Sequence, residues 1–303
     1  MQLVYTIFKK GDELTMLDLE LLEELVTFKK YGTLSATAEH LMITQPSVTR
    51  GMKRLEQELG VTLFDRTVNR ITLNETGKLA AEEAEKLLQA ENDFTEKVLN
   101  FSRTQNYINI GTTLPGPLVI TDQYKDRFKE KTNINHQLIL ENNVISYLRN
   151  YKERLIFTTE DIETDDIESM YLGQEKLSIR IDKFNPLSQK KSVTFKDLAG
   201  LSFLVVQSIG PWKKVIENNI PNAKFLYQDD LAALDELTHY SNFPVFRSNL
   251  TIKSTYKERD DDDRILVPIE DENNFLDIYG SYLQSQRRIV QPYLKQYIKI
   301  MEE

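Results

Sequence analysis

Thr44-Gln45-Pro46-Ser47-Val48-Thr49-Arg50-Gly51-Met52-Lys53-Arg54-Leu55-Glu56-Gln57-Glu58-Leu59-Gly60 is the stretch that decides how this chain begins to fold. Val48, Met52, Leu55 and Leu59 recur at steps of four, three and four, which places them on one face of a helix turning about 100° per residue. Thr44 can cap that helix, Pro46 is tolerated in its first turn because no intrahelical partner waits for its missing N–H, and Gly60 suits the C-terminal cap. With the apolar residues turned inward, Pro46, Arg50, Lys53, Arg54 and Gln57 point out, flanked by Gln45 and Thr49. From Thr44 to Arg54 there are three basic residues and no acid. Hydroxyl, amide and guanidinium groups on one outer face are the chemistry used on base edges and phosphates, and a helix N-terminus adds free N–H groups for a phosphate. A single exposed arginine is ordinarily a solvated charge; the combination on one helix points to DNA.

Upstream, Asp18 can cap a helix in which Leu21, Leu22, Leu25, Val26 and Phe28 share a side, ending near Tyr31-Gly32. Ser35 is the expected cap of a short second helix running through Ala38 to Leu41. Downstream, two β-prone runs between Val61 and Leu73 flank Val68-Asn69, which predicts a hairpin with Arg66 and Arg70 near its tip. Three short helices followed by a basic hairpin predict a winged helix-turn-helix. From Asn74 a long helical pattern runs to about Ser102. Ala80, Ala84, Leu87, Glu91, Phe94, Val98 and Phe101 alternate steps of four and three in it, a heptad seam with one polar break. Pairing along that seam would present two recognition helices to inverted half-sites.

The motifs Gly32-Thr33-Leu34-Ser35-Ala36-Thr37-Ala38, Thr44-Gln45-Pro46-Ser47-Val48-Thr49-Arg50 and Leu55-Glu56-Gln57-Glu58-Leu59-Gly60 occur in order, followed by Leu63-Phe64-Asp65-Arg66-Thr67 and Leu73-Asn74-Glu75-Thr76-Gly77. Over roughly residues 17 to 77 this resembles the signature of the LysR-type transcriptional regulators. Thr44 and Thr49 stand where serine is commoner, and Ala36-Thr37-Ala38 replaces the usual paired alanines. The resemblance implies that Gln45, Pro46, Thr49 and Arg50 approach DNA and that Arg66 and Thr67 belong to the wing. With the outward face of the helix, the expected DNA-binding set is Gln45, Pro46, Ser47, Thr49, Arg50, Lys53, Arg54, Arg66, Thr67 and Arg70. The implied organisation is an N-terminal extension over 1–15 and a winged helix-turn-helix domain over 16–74, with the helix-turn-helix itself at about 34–53. A linker helix for dimerisation follows over 75–102, then an effector-binding domain over 107–303.

After residue 106 the pattern becomes α/β. Tyr107 to Gly111 and Ile134 to Glu141 read as strands around a helical Gly116 to Lys131. Leu201 to Val206 reads as a buried strand before Gly210-Pro211-Trp212 opens a helix; Arg264 to Ile269 and Phe275 to Gln284 read as strands, and Ile289 to Met301 as a closing helix. The fold class expected is therefore α/β with an N-terminal all-α winged helix-turn-helix. By resemblance the C-terminal part is a periplasmic-binding-protein-like effector domain of two α/β subdomains crossed twice by the chain. Subdomain I would take about 107–165 and 260–303, and subdomain II about 166–259. Effector-binding candidates implied by family position are Thr112 and Thr113 after the first strand and Gln207 and Ser208 after the buried one, each of which also reads as an ordinary loop cap. The family pattern is absent at Lys152 to Phe157 and at Tyr240 to Pro244.

Composition closes other routes. The chain has 303 residues and no cysteine, which removes disulfides, thiolate metal sites and a cysteine nucleophile. His40, His136 and His239 have no metal-ligand spacing, no serine or carboxylate pair sits in a catalytic context, and Asp260-Asp261-Asp262-Asp263 lacks the spaced ligands and glycine of a calcium loop. No metal, cofactor or catalysis is expected. The formal charge of −9 argues against indiscriminate nucleic-acid binding but not against a local basic face. No apolar run approaches the roughly 18 residues that span a bilayer, and the N-terminus lacks a signal-peptide pattern, so a cytoplasmic location with no membrane partner is expected. The expected partners are double-stranded DNA carrying an inverted-repeat operator, a small-molecule effector, and further copies of the chain in a dimer or tetramer. The alternative is a solute-binding or sensing module with a vestigial DNA-binding domain.

Overall fold

A computed structural model describes residues 5–10, 13–67, 70–229, 231–253 and 263–302, and contacts divide the chain into two units, Met1–Val98 and Leu99–Glu303. The first unit opens with a hairpin that the sequence did not announce. Strand β1 (Tyr5–Lys10) pairs antiparallel with β2 (Glu13–Asp18). Asp18 ends β2 and caps α1 (Leu19–Tyr31), accepting the Glu20 N–H at 3.0 Å. The cap of α2 (Leu34–His40) is Thr33, whose Oγ1 accepts from the Ala36 N–H at 3.1 Å, and not Ser35, which lies inside the helix. Gly32 ends α1, so the chain is already extended at Thr33 and the next helix starts two residues earlier than expected. Helix α3 (Gln45–Leu59) runs as the spacing predicts, from Thr44 to Gly60. Strands β3 (Phe64–Arg66) and β4 (Ile71–Leu73) form the antiparallel wing, while its Val68-Asn69 turn lies outside the described residues. Asn74 then caps α4 (Glu75–Arg103) by accepting from the Gly77 N–H at 2.8 Å.

Leu25, Phe28, Val48, Met52, Leu55, Leu63 and Ala81 fill this unit's core, with Phe28 meeting Phe64 edge to face at 5.2 Å. Burying each large apolar side chain contributes roughly 1.5–3 kcal/mol, which is what fixes the inner face of α3. The heptad of α4 divides. Ala84 is buried in the core, with Ala80 and Leu87 packed against it, whereas Phe94 and Val98 are exposed.

The second unit contains β5 (Ile108–Thr112), α5 (Gly116–Gln123), β6 (Thr132–Ile134), α6 (Val144–Arg149), β7 (Leu155–Thr158) and β8 (Ile167–Asp182). After these come β9 (Ser202–Val206), α7 (Trp212–Asn219), β10 (Lys224–Gln228), α8 (Leu231–His239), β11 (Val245–Ser248), β12 (Arg264–Pro268), β13 (Phe275–Leu283) and α9 (Arg287–Glu302). The strand order is β10-β9-β11-β8-β13-β7-β5-β6, with β12 also on β8. Strand β8 joins the two subdomains: Ile167 to Lys176 pair with β13, and Leu177 to Asp182 pair with β11 and β12.

Three cores are described in this unit, one of them a smaller cluster around Val144, Leu148 and Ile156, and the two larger ones mark the subdomains. Of the larger two, one gathers Ile108, Leu155, Phe157, Ile278 and the inner face of α9; the other gathers Ile179, Val193, Phe203, Trp212 and Val267. The cores place the subdomain exchange differently from the expected 165/166 and 259/260 division. Leu172 belongs to the first core because β8 stays on β13 until Lys176, Leu250 returns to that core, and Val267 and Ile269 belong to the second because β12 pairs with β8. Two elements depart from their patterns: α5 stops at Gln123, short of Lys131, and β6 lies over Thr132–Ile134, ending where the expected strand over 134–141 begins, although Asn135 and Ile139 still donate to the Ile110 and Thr112 carbonyls of β5.

Candidate nucleic-acid interface and ligand cleft

Helix α3 presents Gln45, Pro46, Arg50, Lys53 and Arg54 to solvent, with Ser47 and Thr49 half-buried between them. Its first turn is locked locally. Thr44 Oγ1 accepts the Ser47 N–H at 3.3 Å, Thr49 Oγ1 donates to the Gln45 carbonyl at 2.9 Å, and Ser35 Oγ donates to Gln45 Oε1 at 3.0 Å. Arg50 donates weakly to Ser47 Oγ at 3.3 Å, a bond that a better acceptor readily replaces.

The remaining basic residues are tied more tightly. Arg54 donates to Glu58 Oε1 at 2.8 Å and lies 3.5 Å from Asp18. Arg66 in the wing donates to Glu56 Oε2 at 2.9 Å, with its guanidinium 5.7 Å from the Phe64 ring centre. Thr67 Oγ1 donates to the Arg70 carbonyl at 3.1 Å, and Arg70 is exposed. Glu56, which the helical pattern alone does not single out, joins helix to wing: its Oε1 accepts the N–H groups of Leu63 at 2.8 Å and Phe64 at 3.2 Å. Behind α3, the half-buried Glu24 carboxyl is pushed up to about 7 by burial and by the charges of Asp18 and Glu20.

In the second unit a cavity of about 990 Å³ is bordered by α5, β8, β9, α7, α8, β11 and β12, its lining divided between apolar side chains such as Leu118, Leu177, Leu204 and Ile216 and charged ones such as Asp122, Arg180, Asp235 and Arg264. Of the four effector candidates, Ser208 borders it, while Thr112, Thr113 and Gln207 do not line it. Thr112 is fully buried, donating to the Leu114 carbonyl at 2.5 Å and accepting the Leu114 N–H at 3.2 Å. Thr113 is 2 % exposed, and its carbonyl lies so close to Gly210 that a Cβ there would run into it. The turns after β5 and β9 therefore touch, and the open volume lies beside them. Facing that volume is Glu175, 1 % exposed, whose Oε1 accepts from Ser248 Oγ at 2.5 Å. Its signal was present in sequence: it continues toward the N-terminus the alternation of Leu177, Ile179 and Ile181, so a carboxylate occupies an inward position of β8. No group of three or more metal-ligating side chains occurs among the described residues, and none of their helices is long and apolar enough to cross a membrane.

Residues 19–78 match the family model described as bacterial regulatory helix-turn-helix protein, lysR family. Similar curated proteins include an uncharacterised HTH-type transcriptional regulator, YybE, of Bacillus subtilis (strain 168), 25% identical over 62% of this chain and 66% of that protein. The HTH-type transcriptional regulator DgcR of Pseudoalteromonas sp is 25% identical over 62% of this chain and 68% of its own. This chain thus spans about two thirds of the length of the relatives it matches. Among solved structures, a full-length OxyR variant from Pseudomonas aeruginosa superposes with a TM-score of 0.50 at 16% identity, covering 94% of each chain. The reduced OxyR regulatory domain from Pseudomonas aeruginosa superposes with a TM-score of 0.53 at 12% identity, covering 65% of this chain and 96% of that one. These likenesses establish the fold.

Proposed function

Because this chain belongs to the LysR family of bacterial helix-turn-helix regulators, we propose that it binds a specific inverted-repeat operator and alters transcription when a small molecule occupies the cleft of its second unit. The observation that carries this reading is the outer face of α3, where Gln45, Arg50 and Lys53 stand exposed on a helix whose inner face is locked in the core. Gln45, Pro46, Ser47, Thr49, Arg50 and Lys53 read the major groove. Arg54, Arg66, Thr67 and Arg70 contact the DNA backbone, Arg66 while it keeps its ion pair with Glu56. The protein acts by binding alone, without catalysis, in the cytoplasm. Residues 16–74 form the DNA-binding domain, 75–102 the dimerisation helix and 107–303 the effector domain. Dimers form along the exposed C-terminal part of α4 and assemble into tetramers. Ser208 borders the effector cleft, and the turns carrying Thr112, Thr113 and Gln207 lie beside it.

The test is binding of the full chain to the DNA upstream of its own gene across a salt series. Counterion release predicts that log affinity falls against log salt with a slope of about −0.9 per phosphate contact, hence steeper than about −4 for a dimer with a few contacts per subunit. Lys53→Ala should make the slope shallower by roughly one per subunit without changing the preferred sequence. A flat salt dependence would favour a sensing module whose DNA-binding domain is vestigial.

A further inference from the structure

The chain of the second unit crosses between the subdomains on β8 and returns after β11, and these two crossings are stitched together. Asn249 accepts the Lys176 N–H at 2.7 Å and donates to the Gln174 carbonyl at 3.0 Å. Adjacent crossings make a hinge: they hold the subdomains side by side and leave the angle between them to contacts made off the axis. Such contacts occur where the turn after β5 meets the turn after β9. Gly210, with φ of +58°, lies so close to the Thr113 carbonyl that a Cβ would run into it.

Glu175 joins these turns from β8, at the crossing itself, and is 1 % exposed. Its neighbours come from three sides. Gly116 of α5, flanked by Leu114 and Leu118 of the first core, leaves the space that the carboxyl fills, since a Cβ there would run into it. Trp212 of α7 belongs to the second core, is 4 % exposed, and donates its indole N–H to the carboxyl. Ser248, where the chain turns back, donates to Oε1 at 2.5 Å and accepts the Thr251 N–H at 3.1 Å. A carboxyl withdrawn from water is costly unless such donors surround it, so parting the turns leaves it under-matched.

We propose that Glu175 is a latch that sets the angle between the two subdomains, closing the turn after β5 against the turn after β9 by holding Trp212 on one side and filling the gap at Gly116 on the other. Glu175, Trp212 and Ser248 all line the cavity. A molecule entering it therefore borders the contact that fixes the angle, and one too large for the closed cleft has to break that contact. Separating the turns costs the indole bond of a buried carboxyl, so the ligand-free unit rests closed and opens in a discrete step. The latch depends on contacts within the second unit alone and does not require that the cleft bind an effector.

The full chain carries a single tryptophan, so the fluorescence of Trp212 reports the latch directly. In the wild type its emission should be blue-shifted and resist quenching by acrylamide. Glu175→Ala should raise the quenching constant severalfold and shift the emission to the red, and Glu175→Gln, which keeps one acceptor oxygen, should fall between. Gly116→Ala should act in the same way by displacing the carboxyl, yet add nothing in the Glu175→Ala background, where its Cβ has room. Gly210→Ala drives the turns apart without touching the carboxyl; it serves if Glu175→Ala does not fold, and should expose Trp212 likewise. Hydrogen exchange, followed in parallel, should speed up at Thr113, Leu114, Gly210 and Trp212 and stay slow at Phe157 and Phe203. Trp212 readily quenched in the wild type, quenching unchanged in the folded variants, additive effects of Gly116→Ala and Glu175→Ala, or exchange accelerated equally in both cores would each overturn the latch.

Discussion

Glu24 of α1 occupies the space that a side chain at residue 51 of α3 would take, so that a Cβ on Gly51 would run into its carboxylate. The two helices approach closely at this point, and the carboxyl caught between them has a buried oxygen with no partner. Its pKa, pushed up to about 7, lies above the unfolded value of about 4.5. Between those values the folded domain holds a proton that the unfolded chain has released. The contribution of Glu24 to stability therefore falls as pH rises from about 4.5 to about 7. Glu24→Gln removes this term. In urea unfolding at pH 5 and pH 7.5, the variant should gain on the wild type as pH rises. A stability difference that does not change with pH would contradict the assignment.

The two tight glycines of this unit should respond in opposite ways to alanine. At Gly51 the obstacle is the end of a flexible, half-exposed side chain, which can swing out; at Gly77 it is the backbone carbonyl of Leu63. Gly51→Ala should be neutral or stabilise by up to about 1 kcal/mol through helix propensity. Gly77→Ala should destabilise by roughly 1–3 kcal/mol, as overpacking does. Thermal melting of the two variants checks this.

Glu56 holds the wing against α3 through two backbone N–H groups and Arg66. Glu56→Ala leaves those donors unmatched and should cost about 1–3 kcal/mol. Hydrogen exchange at Leu63 and Phe64 should speed up in the variant more than exchange at Leu25 does. Uniform change across the domain would mean that Glu56 is not the tether.

The helical period of Val48, Met52, Leu55 and Leu59 specified α3 completely because burial and spacing agree there, and Thr44 and Gly60 punctuate it. The cap of α2 was misread at Ser35 because Ser35 and Thr33 are both good caps, and only the end of α1 at Gly32 selects between them. Beyond residue 106 legibility fell where pairing is long-range. Strand β8 was missed because its 16 residues change partners midway, so no single alternation runs through it. The ion pair of Arg66 with Glu56 was invisible for a similar reason, since it joins the wing to α3, whereas that of Arg54 with Glu58 is a local pair one turn apart that the helical spacing allowed. Glu175 was missed because β8 itself was: the alternation with Leu177, Ile179 and Ile181 that turns it inward reads as such only once the strand is recognised, and its neighbours Gly116 and Ser248 come from distant parts of the chain.

The dimer should depend on the far part of α4. Phe94 is 64% exposed and Val98 is 52% exposed, whereas the earlier seam residue Ala84 is buried in its own domain. Phe94→Asp places a charge in the apolar seam and should shift sedimentation from dimer to monomer. An unchanged dimer would place the contact elsewhere.

The central claim is that the outer face of α3 reads base sequence, and footprinting of the protein's own upstream region tests it most directly. Gln45→Ala and Arg50→Ala each remove an exposed group whose absence leaves the helix core intact. Loss of a base contact costs roughly 1–3 kcal/mol of discrimination. Both variants should therefore melt like the wild type, bind DNA generally, and lose the protected operator footprint. Footprints identical to the wild type in both would contradict the claim that this helix recognises the operator.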